Sequence, residues 1–236
     1  MTPPRLLIFD VFGTLVDWRG GVARDAADHL SPLGITLDWG HFADSWRAQY
    51  QPAMEEVRSG QRPFSKLDML HRRNLDVVLQ DLGIAGGVDE GTRSRLNLAW
   101  HRLDAWPDVS RGLARLRNRY RVAPCSNGNV SLMADLARRN AWHWDAVLGA
   151  EFSRAYKPQA SVYLGACAAF DCEPGETVMV AAHSSDLAAA AAAGLRTAHI
   201  ARPDEQGTGR GERAPSVRVD WAADSLEALA DAMGLA

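Results

Sequence analysis

The amino-acid sequence predicts an α/β fold in which a parallel sheet is flanked by helices and a helical segment is inserted after its first strand. The apolar run Leu6–Phe9 is typical of a fully buried strand of a parallel sheet. Residues 18–101 then show amphipathic helical periodicity, with no convincing strand. From Pro107 onward strands and helices alternate, which indicates a parallel sheet with right-handed crossovers.

The composition is that of a globular protein. The chain has 236 residues, of which 47% are hydrophobic and 23% charged, and this favours a packed core over disorder. The net charge of −3 gives no electrostatic argument for nucleic acid, and no apolar run approaches the roughly 20 residues of a membrane span. Because residues 1–4 lead straight into the first strand, we expect no signal peptide and a cytoplasmic location. We expect reduced thiols at the three cysteines, Cys125, Cys167 and Cys172.

The inserted segment is expected to form four helices, at residues 22–30, 38–57, 65–82 and 89–103. Pro52 should kink the second helix or break it in two. Because the segment begins directly after the first strand, we expect it to cover that edge of the sheet as a cap, and a separate helical bundle is the alternative. The expected domains are an α/β core of residues 1–16 and 103–236 and a helical cap of residues 17–102.

The α/β part contains further strands and helices in alternation. Its strands are expected at residues 121–125, 146–148, 178–181, 196–200 and 219–221. Its helices are expected at residues 109–117, 130–140, 161–170, 185–193 and 225–233. The polar segment 202–215, rich in Gly, Arg and Glu, is interpreted as a mobile surface loop.

A carboxylate, Asp10, follows the first strand, and Gly13 and Thr14 then turn the chain. Ligands of open α/β sheets bind outside the carboxyl ends of the strands. Asp10 is therefore a candidate nucleophile or metal ligand, and an aspartate that only caps a loop is the alternative.

The segment from Arg5 to Leu15 resembles motif I of the haloacid dehalogenase (HAD) superfamily, hhhhDxxGTL. Phosphatases of this superfamily usually carry a second aspartate two residues after the first, which protonates the leaving group. Here that position is Phe12, whose ring cannot donate a proton. The departure resembles the type II (L-2-haloacid) dehalogenases, in which the aspartate attacks carbon and the halide leaves without a proton. The resemblance implies a Rossmann-like HAD core with a C1-type cap.

Two further segments resemble HAD motifs in the expected order. Ser126-Asn127-Gly128 follows a predicted strand, as motif II does, and could hold an anionic group beside a helix N-terminus; a plain turn is the alternative. Lys157, before Pro158, resembles motif III and could balance the charge of Asp10, although most lysines are solvated. Tyr163 resembles a helix tyrosine that supports the lysine region, or it is a core residue.

The fourth motif departs from the family. In phosphatases of the superfamily this segment resembles GDxxxD, and its acidic residues bind Mg²⁺. This chain has Ala182 at the first acidic position and keeps only Asp186. Since Mg²⁺ needs near-octahedral oxygen ligation, we interpret the site as metal-free. The dehalogenase pattern in this segment is SSNxxD, and here its first serine is replaced by Ala181 and its asparagine by His183. His183 could donate in place of the asparagine, act as a base, or be a structural histidine.

Arg47, in Trp46-Arg47-Ala48-Gln49-Tyr50, resembles a cap arginine that points at the halide, although most helix arginines are solvated or ion-paired. The aromatic residues nearby could form apolar pocket walls, with core packing as the alternative. These are Phe12, Trp46, Tyr50 and Phe64.

The resemblance implies hydrolytic, cofactor-free dehalogenation of short 2-haloalkanoic acids to 2-hydroxy acids through an ester on Asp10. The implied catalytic set is Asp10, Lys157, Asp186, Arg47 and His183. The implied substrate-binding set is Val11, Phe12, Ser126, Asn127, Arg47 and Tyr163. The expected partner is a small haloacid, and a homodimer is allowed. A HAD phosphatase or phosphotransferase with altered motifs and a catalytically silent binding protein are the alternatives.

Overall fold

The sheet of the protein has six parallel strands, as a computed structural model that describes residues 3–235 shows. The strands lie in the order β3-β2-β1-β4-β5-β6. They are β1 Leu6–Phe9, β2 Arg121–Ser126, β3 Leu148–Gly149, β4 Thr177–Ala181, β5 Arg196–Ile200 and β6 Trp221–Ala223. The predicted α/β class is confirmed, and the two edge strands, β3 and β6, begin two residues later than expected.

Strand β1 occupies the centre of the sheet and determines where the segment after it lies. It pairs in parallel with β2 on one side and with β4 on the other, and all four of its residues are buried. Burial on both faces explains why the strand is a continuous apolar run. The chain therefore leaves β1 at the middle of the carboxyl edge, between the ends of β2 and β4.

The helical insertion lies between β1 and β2. Its helices are α1 Trp18–Leu30, α2 Trp39–Ala48, α3 Tyr50–Arg58, α4 Leu67–Asp81 and α5 Glu90–Asn97. The helix expected at 38–57 breaks at Gln49, and Pro52 lies in the first turn of α3, where its missing N–H is tolerated. The helix expected at 89–103 ends early and continues as a 3₁₀ turn, Leu98–His101. The expected domain boundaries stay a prediction, and residues 1, 2 and 236 of that expectation lie outside the described residues.

The helices of the α/β part follow the expected order. They are α6 Val109–Arg117, α7 Val130–Arg139, α8 Ala150–Ser153, α9 Ala160–Ala169, α10 Ser184–Ala192 and α11 Leu226–Ala232. The single-turn helix α8 was not expected, because four residues carry no helical periodicity. Within residues 3–235 no helix is long and apolar enough to cross a membrane. The three cysteines are buried and unbridged.

An aromatic cluster joins the insertion to the sheet. The ring of Phe12 packs edge-on against Trp100, with 5.6 Å between ring centroids, and Trp100 packs in the same way against Trp46 at 5.5 Å. Phe64 lies farther along the insertion and packs on Tyr156. Edge-to-face contacts of this kind stabilise beyond the area they bury, so Phe12 anchors the insertion as well as facing the carboxyl edge.

The segment 202–215 has no helix or strand and many of its residues are exposed, as expected for a surface loop, and its mobility stays a prediction. Two of its residues, however, anchor it to the core. Arg202 and Glu205 are buried. The Arg202 guanidinium forms two 2.9 Å hydrogen bonds to the carboxylate of Asp108, and its Nε donates to the carbonyl oxygen of Thr14 at 2.8 Å. The composition predicted the loop but not these two anchors, because buried charge pairs with distant partners leave no signal in the local sequence.

His101 connects the insertion to the core at the end of the insertion. Its Nε2 lies 3.0 Å from a carboxylate oxygen of Asp68 on α4, and its Nδ1 lies 2.7 Å from Asp135 on α7. Asn129 of the core also donates to Asp68, at 2.8 Å. A neutral imidazole has one N–H, whereas carboxylates only accept, so both contacts are satisfied only by the imidazolium. Burial lowers the pKa of His101, but the two carboxylates raise it more, and the net shift is upward.

We expect His101 to stabilise the fold in a pH-dependent way. Because its folded-state pKa is raised above the ordinary value of about 6.5, the stabilisation is complete below about pH 6.5 and is lost as the pH rises through the folded-state pKa. At about pH 6 the melting temperature of His101→Gln should lie about 2–4 °C below that of the wild type, equivalent to about 1 kcal/mol. The gap should shrink at about pH 9.

Differential scanning calorimetry of both proteins at the two pH values measures this gap. His41→Gln, at an exposed position of α2, is the matched control and should show no gap. A gap of equal size at both pH values would contradict a charged His101.

Candidate active site

Asp10 lies at the carboxyl end of β1 and is buried, with 7% of the residue exposed. Its backbone N–H donates to the carbonyl oxygen of Val180 on β4, at 3.0 Å. The Thr14 hydroxyl donates to Asp10 Oδ2 at 2.7 Å and accepts from the N–H of Ala182 at 2.9 Å. The turn after β1 therefore folds back onto the end of β4, and Thr14, which the sequence indicated only as a turn residue, orients the carboxylate.

Lys157 links Asp10 to Asp186. Lys157 is buried, with 6% of its surface exposed. Its ammonium nitrogen lies 3.0 Å from Asp10 Oδ1 and 2.5 Å from Asp186 Oδ2. The hydroxyl of Tyr163 on α9 donates to the other oxygen of Asp186 at 2.5 Å. The backbone N–H of Lys157 donates to Asn127 Oδ1 at 2.9 Å. The loops after β1, β2, β3 and β4 thus meet at one point of the carboxyl edge.

His183 and Glu205 complete the polar cluster. His183 Nδ1 lies 3.2 Å from Asp10 Oδ2, and its Nε2 lies 3.0 Å and 2.9 Å from the two oxygens of Glu205. Glu205, 3% exposed, also accepts from the indole N–H of Trp18 at 2.9 Å. Sequence reasoning missed Glu205 because it lies in the segment interpreted as a surface loop. No local pattern around Glu205 signals this role.

These contacts fix the charge states. Burial favours the neutral form of Asp10, but Lys157 and the hydrogen bond from His183 outweigh it and hold the pKa of Asp10 far below its usual range. Burial lowers the pKa of His183, whereas the hydrogen bonds to Asp10 and Glu205 raise it to about 10. Burial likewise opposes the charge of Lys157, and the two aspartates keep its pKa well above the ordinary value. At neutral pH the cluster therefore holds an ionised Asp10 between two cations.

Arg47 faces the same space from α2 of the insertion. Its guanidinium carbon lies 4.0 Å from the ring centroid of Tyr50, 5.2 Å from that of Trp18 and 5.9 Å from that of Phe12. Within the described residues its buried Nη1 has no hydrogen-bond partner. A buried donor without a partner is costly, so this N–H is available to an anion in the cavity.

A cavity of about 630 Å³ lies between the insertion and the carboxyl edge. The residues singled out from the sequence that line it are Asp10, Phe12, Arg47, Tyr50, Asn127, Lys157, Tyr163, His183 and Asp186. The insertion adds Gln51, Glu55 and Arg58, which the sequence did not indicate. Val11 and Ser126 are fully buried and are not among the lining residues, and the Ser126 hydroxyl accepts from the N–H of Gly128 at 3.1 Å. Trp46 lies behind the cavity in the aromatic cluster.

The donor set does not suit a divalent metal. Lys157 and Thr14 already engage the oxygens of Asp10, Lys157 and Tyr163 engage those of Asp186, and Ala182 offers no side-chain ligand. The described part of the chain contains no group of three or more His, Cys, Asp or Glu residues arranged to hold a metal ion. Cationic side chains occupy the positions around the carboxylates that a metal would need.

The protein thus combines a Rossmann-like parallel sheet, a buried aspartate–lysine–aspartate cluster at its carboxyl edge and a helical insertion that faces this cluster. The sequence model of the haloacid dehalogenase-like hydrolase family matches residues 4–194, and the chain belongs to this family. The family assignment made from the motifs is confirmed.

Relatives and solved structures narrow the comparison. The chain is 29% identical over 205 residues to (S)-2-haloacid dehalogenase 1 of Pseudomonas sp. (strain CBS-3), covering 86% of each protein. It is 42% identical to a defluorinating L-2-haloacid dehalogenase of known structure, with a TM-score of 0.95 over 98% of this chain and 95% of that one. A second L-2-haloacid dehalogenase structure gives 43% identity and a TM-score of 0.92 over 98% of this chain and 99% of that one.

We expect His183 to remain an imidazolium well above neutral pH. In protein labelled with ¹³C at histidine Cε1, its NMR signal, assigned with His183→Asn, should titrate with a pKa of about 10. Glu205→Gln removes the carboxylate that faces Nε2 and should move this pKa downward.

Glu227→Gln, at a half-buried position of α11, carries the same change of charge and should leave the His183 signal unaltered. A His183 signal that titrates near the ordinary histidine pKa of about 6.5 in the wild type would show that the two carboxylates do not hold the proton.

Proposed function

We propose that the protein hydrolyses short 2-haloalkanoic acids to 2-hydroxy acids through an ester on Asp10, without a metal ion. The observation that carries the proposal is an ionised, buried Asp10 that shares a cavity with the unpartnered Nη1 of Arg47 and with the ring of Phe12. The names of the relatives support a hydrolase that acts on carbon–halide bonds.

In the first step Asp10 attacks the halogen-bearing carbon and the halide leaves. The low pKa of Asp10 keeps it ionised throughout the neutral range. Arg47 receives the halide through its free N–H, inside an aromatic box that excludes water and so strengthens the interaction. Because a halide leaves as an anion, no acid is needed at position 12, and this agrees with a phenyl ring there. In-line attack inverts the configuration at the carbon.

The substrate carboxylate is bound on the core side of the cavity. Lys157 supplies the positive charge, and Asn127 and the backbone near Val11 and Phe12 supply polar contacts. The buried Ser126 hydroxyl holds the turn at Gly128 and does not line the cavity. Tyr163 holds Asp186 so that the ammonium stays in place. Holding carbon and carboxylate in line is itself equivalent to a high effective molarity.

In the second step water attacks the carboxyl carbon of Asp10 and the bond between that carbon and the ester oxygen breaks. One water proton ends on the leaving oxygen, which departs as the hydroxyl of the 2-hydroxy acid, and the other is released to solvent, so that the Asp10 carboxylate is restored. The contacts favour Oδ1 as the oxygen that bonds to substrate, because Oδ2 accepts from both Thr14 and His183, whereas Oδ1 has a single contact, to Lys157. Negative charge that develops on Oδ2 is then stabilised by two fixed donors, as in an oxyanion hole. The protonated state of His183 favours this donor role over that of a base, and Asp186 with Lys157 positions the water.

An assay of product release separates this proposal from its alternatives. The purified protein is incubated with chloroacetate, fluoroacetate and a generic phosphate ester, with Mg²⁺ or with EDTA. We expect halide release that EDTA does not reduce, because no step uses a metal. Phosphate release that depends on Mg²⁺ would instead indicate a phosphatase. If no product is released from any of a broad panel of substrates, the protein is a binding protein.

Asp10→Asn should lower kcat for halide release by at least about 10⁴-fold, because an amide is a far weaker nucleophile of almost the same shape. Circular dichroism should be unchanged. Asp81→Asn, an exposed position at the end of α4, is the matched control and should retain full activity. Full activity in Asp10→Asn, with deamidation excluded by mass spectrometry, would overturn the nucleophile assignment.

The preferred halogen and enantiomer follow from pocket shape and are decided by the same assay with a substrate series. A cytoplasmic location and a homodimer stay predictions from the sequence. Gel filtration tests the dimer directly.

A further inference from the structure

Arg58 reaches from the insertion to the residue that carries the catalytic ammonium. It is the last residue of α3, its side chain is 13% exposed, and it lines the cavity. Its Nη1 donates to the backbone carbonyl oxygen of Lys157 at 3.0 Å. The contact therefore crosses from the helical insertion to the core at the active site itself.

The guanidinium is held in place by its own helix. Nε donates to Glu55 Oε2 at 2.7 Å, and Nη2 donates to Gln51 Oε1 at 3.2 Å. Both partners lie on α3, one turn and two turns before Arg58. A planar fork fixed by two acceptors loses little freedom when it makes a third contact. The orientation of α3 thus determines where Nη1 points.

The backbone of Lys157 is held on both sides, through the peptide group before the residue and through the one after it. Asn127, from the core, accepts its N–H at 2.9 Å, and Arg58, from the insertion, donates to its carbonyl oxygen. The preceding residue is tied to the insertion as well, because the Tyr156 hydroxyl donates to the carbonyl oxygen of Ser65 at 2.7 Å. A small rotation of the backbone at Lys157 would shift its ammonium away from Asp10 and Asp186.

We propose that Arg58 is a positioning residue that places the Lys157 ammonium between Asp10 and Asp186 when the insertion lies on the core. Arg58 itself does not touch the reacting atoms. It makes the arrangement of the charged cluster depend on the position of the insertion, so that the catalytic geometry is complete only around a covered substrate. The kinetic consequence rests on the proposed function, whereas the placement of Lys157 does not.

The lysine content of the chain makes the placement measurable without any activity. The sequence contains two lysines, Lys66 and Lys157. Lys66 is 54% exposed and pairs with Glu151, whereas Lys157 is buried. Protein labelled with ¹³C and ¹⁵N in lysine should therefore give two side-chain signals, assigned with Lys66→Arg. The Lys157 ammonium should be the ordered one, with slowly exchanging protons.

In Arg58→Gln the Lys157 signal should shift and broaden, and its ammonium protons should exchange faster, while the Lys66 signal stays unchanged. With chloroacetate as substrate, kcat should fall by about 10²-fold, the cost of a displacement of about 1 Å in a catalytic group. Because Lys157 also holds the substrate carboxylate, KM should rise as well, although by a smaller factor than the fall in kcat. Arg62→Gln, an exposed arginine beyond the end of α3, should change neither the spectrum nor the rate.

Glu55→Gln provides a milder variant in case Arg58→Gln does not fold. It keeps the contact to Lys157 but frees the guanidinium, so it should shift the Lys157 signal in the same direction by a smaller amount. An unchanged Lys157 signal in a folded Arg58→Gln protein would overturn the proposal, whatever its activity. If the Lys157 signal shifts in Arg58→Gln but the wild-type protein releases no halide, the placement of Lys157 is upheld and only the proposed function is refuted.

Discussion

The active site depends on one interaction, the Lys157 ammonium that lies between the carboxylates of Asp10 and Asp186. Two buried carboxylates would repel each other, and without a cation one of them would take up a proton. Removing one partner of a buried ion pair typically costs about 3–5 kcal/mol, since the other charge is left uncompensated. The remaining polar contacts of the site orient this trio: Thr14 fixes Asp10, Tyr163 fixes Asp186, and Asn127 and Arg58 fix the Lys157 backbone.

A second charge pair completes the balance. Glu205 and His183 bring one anion and one cation to the other side of Asp10, and the segment that carries Glu205 is anchored by the pairing of Arg202 with Asp108. With Arg47, and with the paired Arg58 and Glu55 of the insertion, the site holds four cations and four carboxylates before substrate binds. An anionic substrate therefore enters a site without excess negative charge, beside an arginine donor that has no partner in the described residues.

The fold could be predicted from the sequence because its signals are local. The apolar run of β1, the alternation after Pro107 and the break before Pro52 each depend on a few neighbouring residues. The positions of Asp10, Lys157 and Asp186 could be predicted because the segments that carry them resemble motifs of one family in the expected order, and because parallel strands end at the same edge of a sheet. Glu205, the orienting role of Thr14 and the reach of Arg58 could not be predicted, since each depends on a contact between residues far apart in the chain or on the precise path of a loop.

The central claim is that Asp10 forms a covalent ester, and the origin of the product oxygen tests it most directly. In a single turnover in ¹⁸O-water with enzyme in excess over chloroacetate, the new hydroxyl oxygen of the product should come from Asp10 and be almost wholly ¹⁶O. The heavy oxygen should be found by mass spectrometry on the peptide that contains Asp10. If the first-turnover product instead carries ¹⁸O and that peptide carries none, water attacks the substrate directly and Asp10 is a general base.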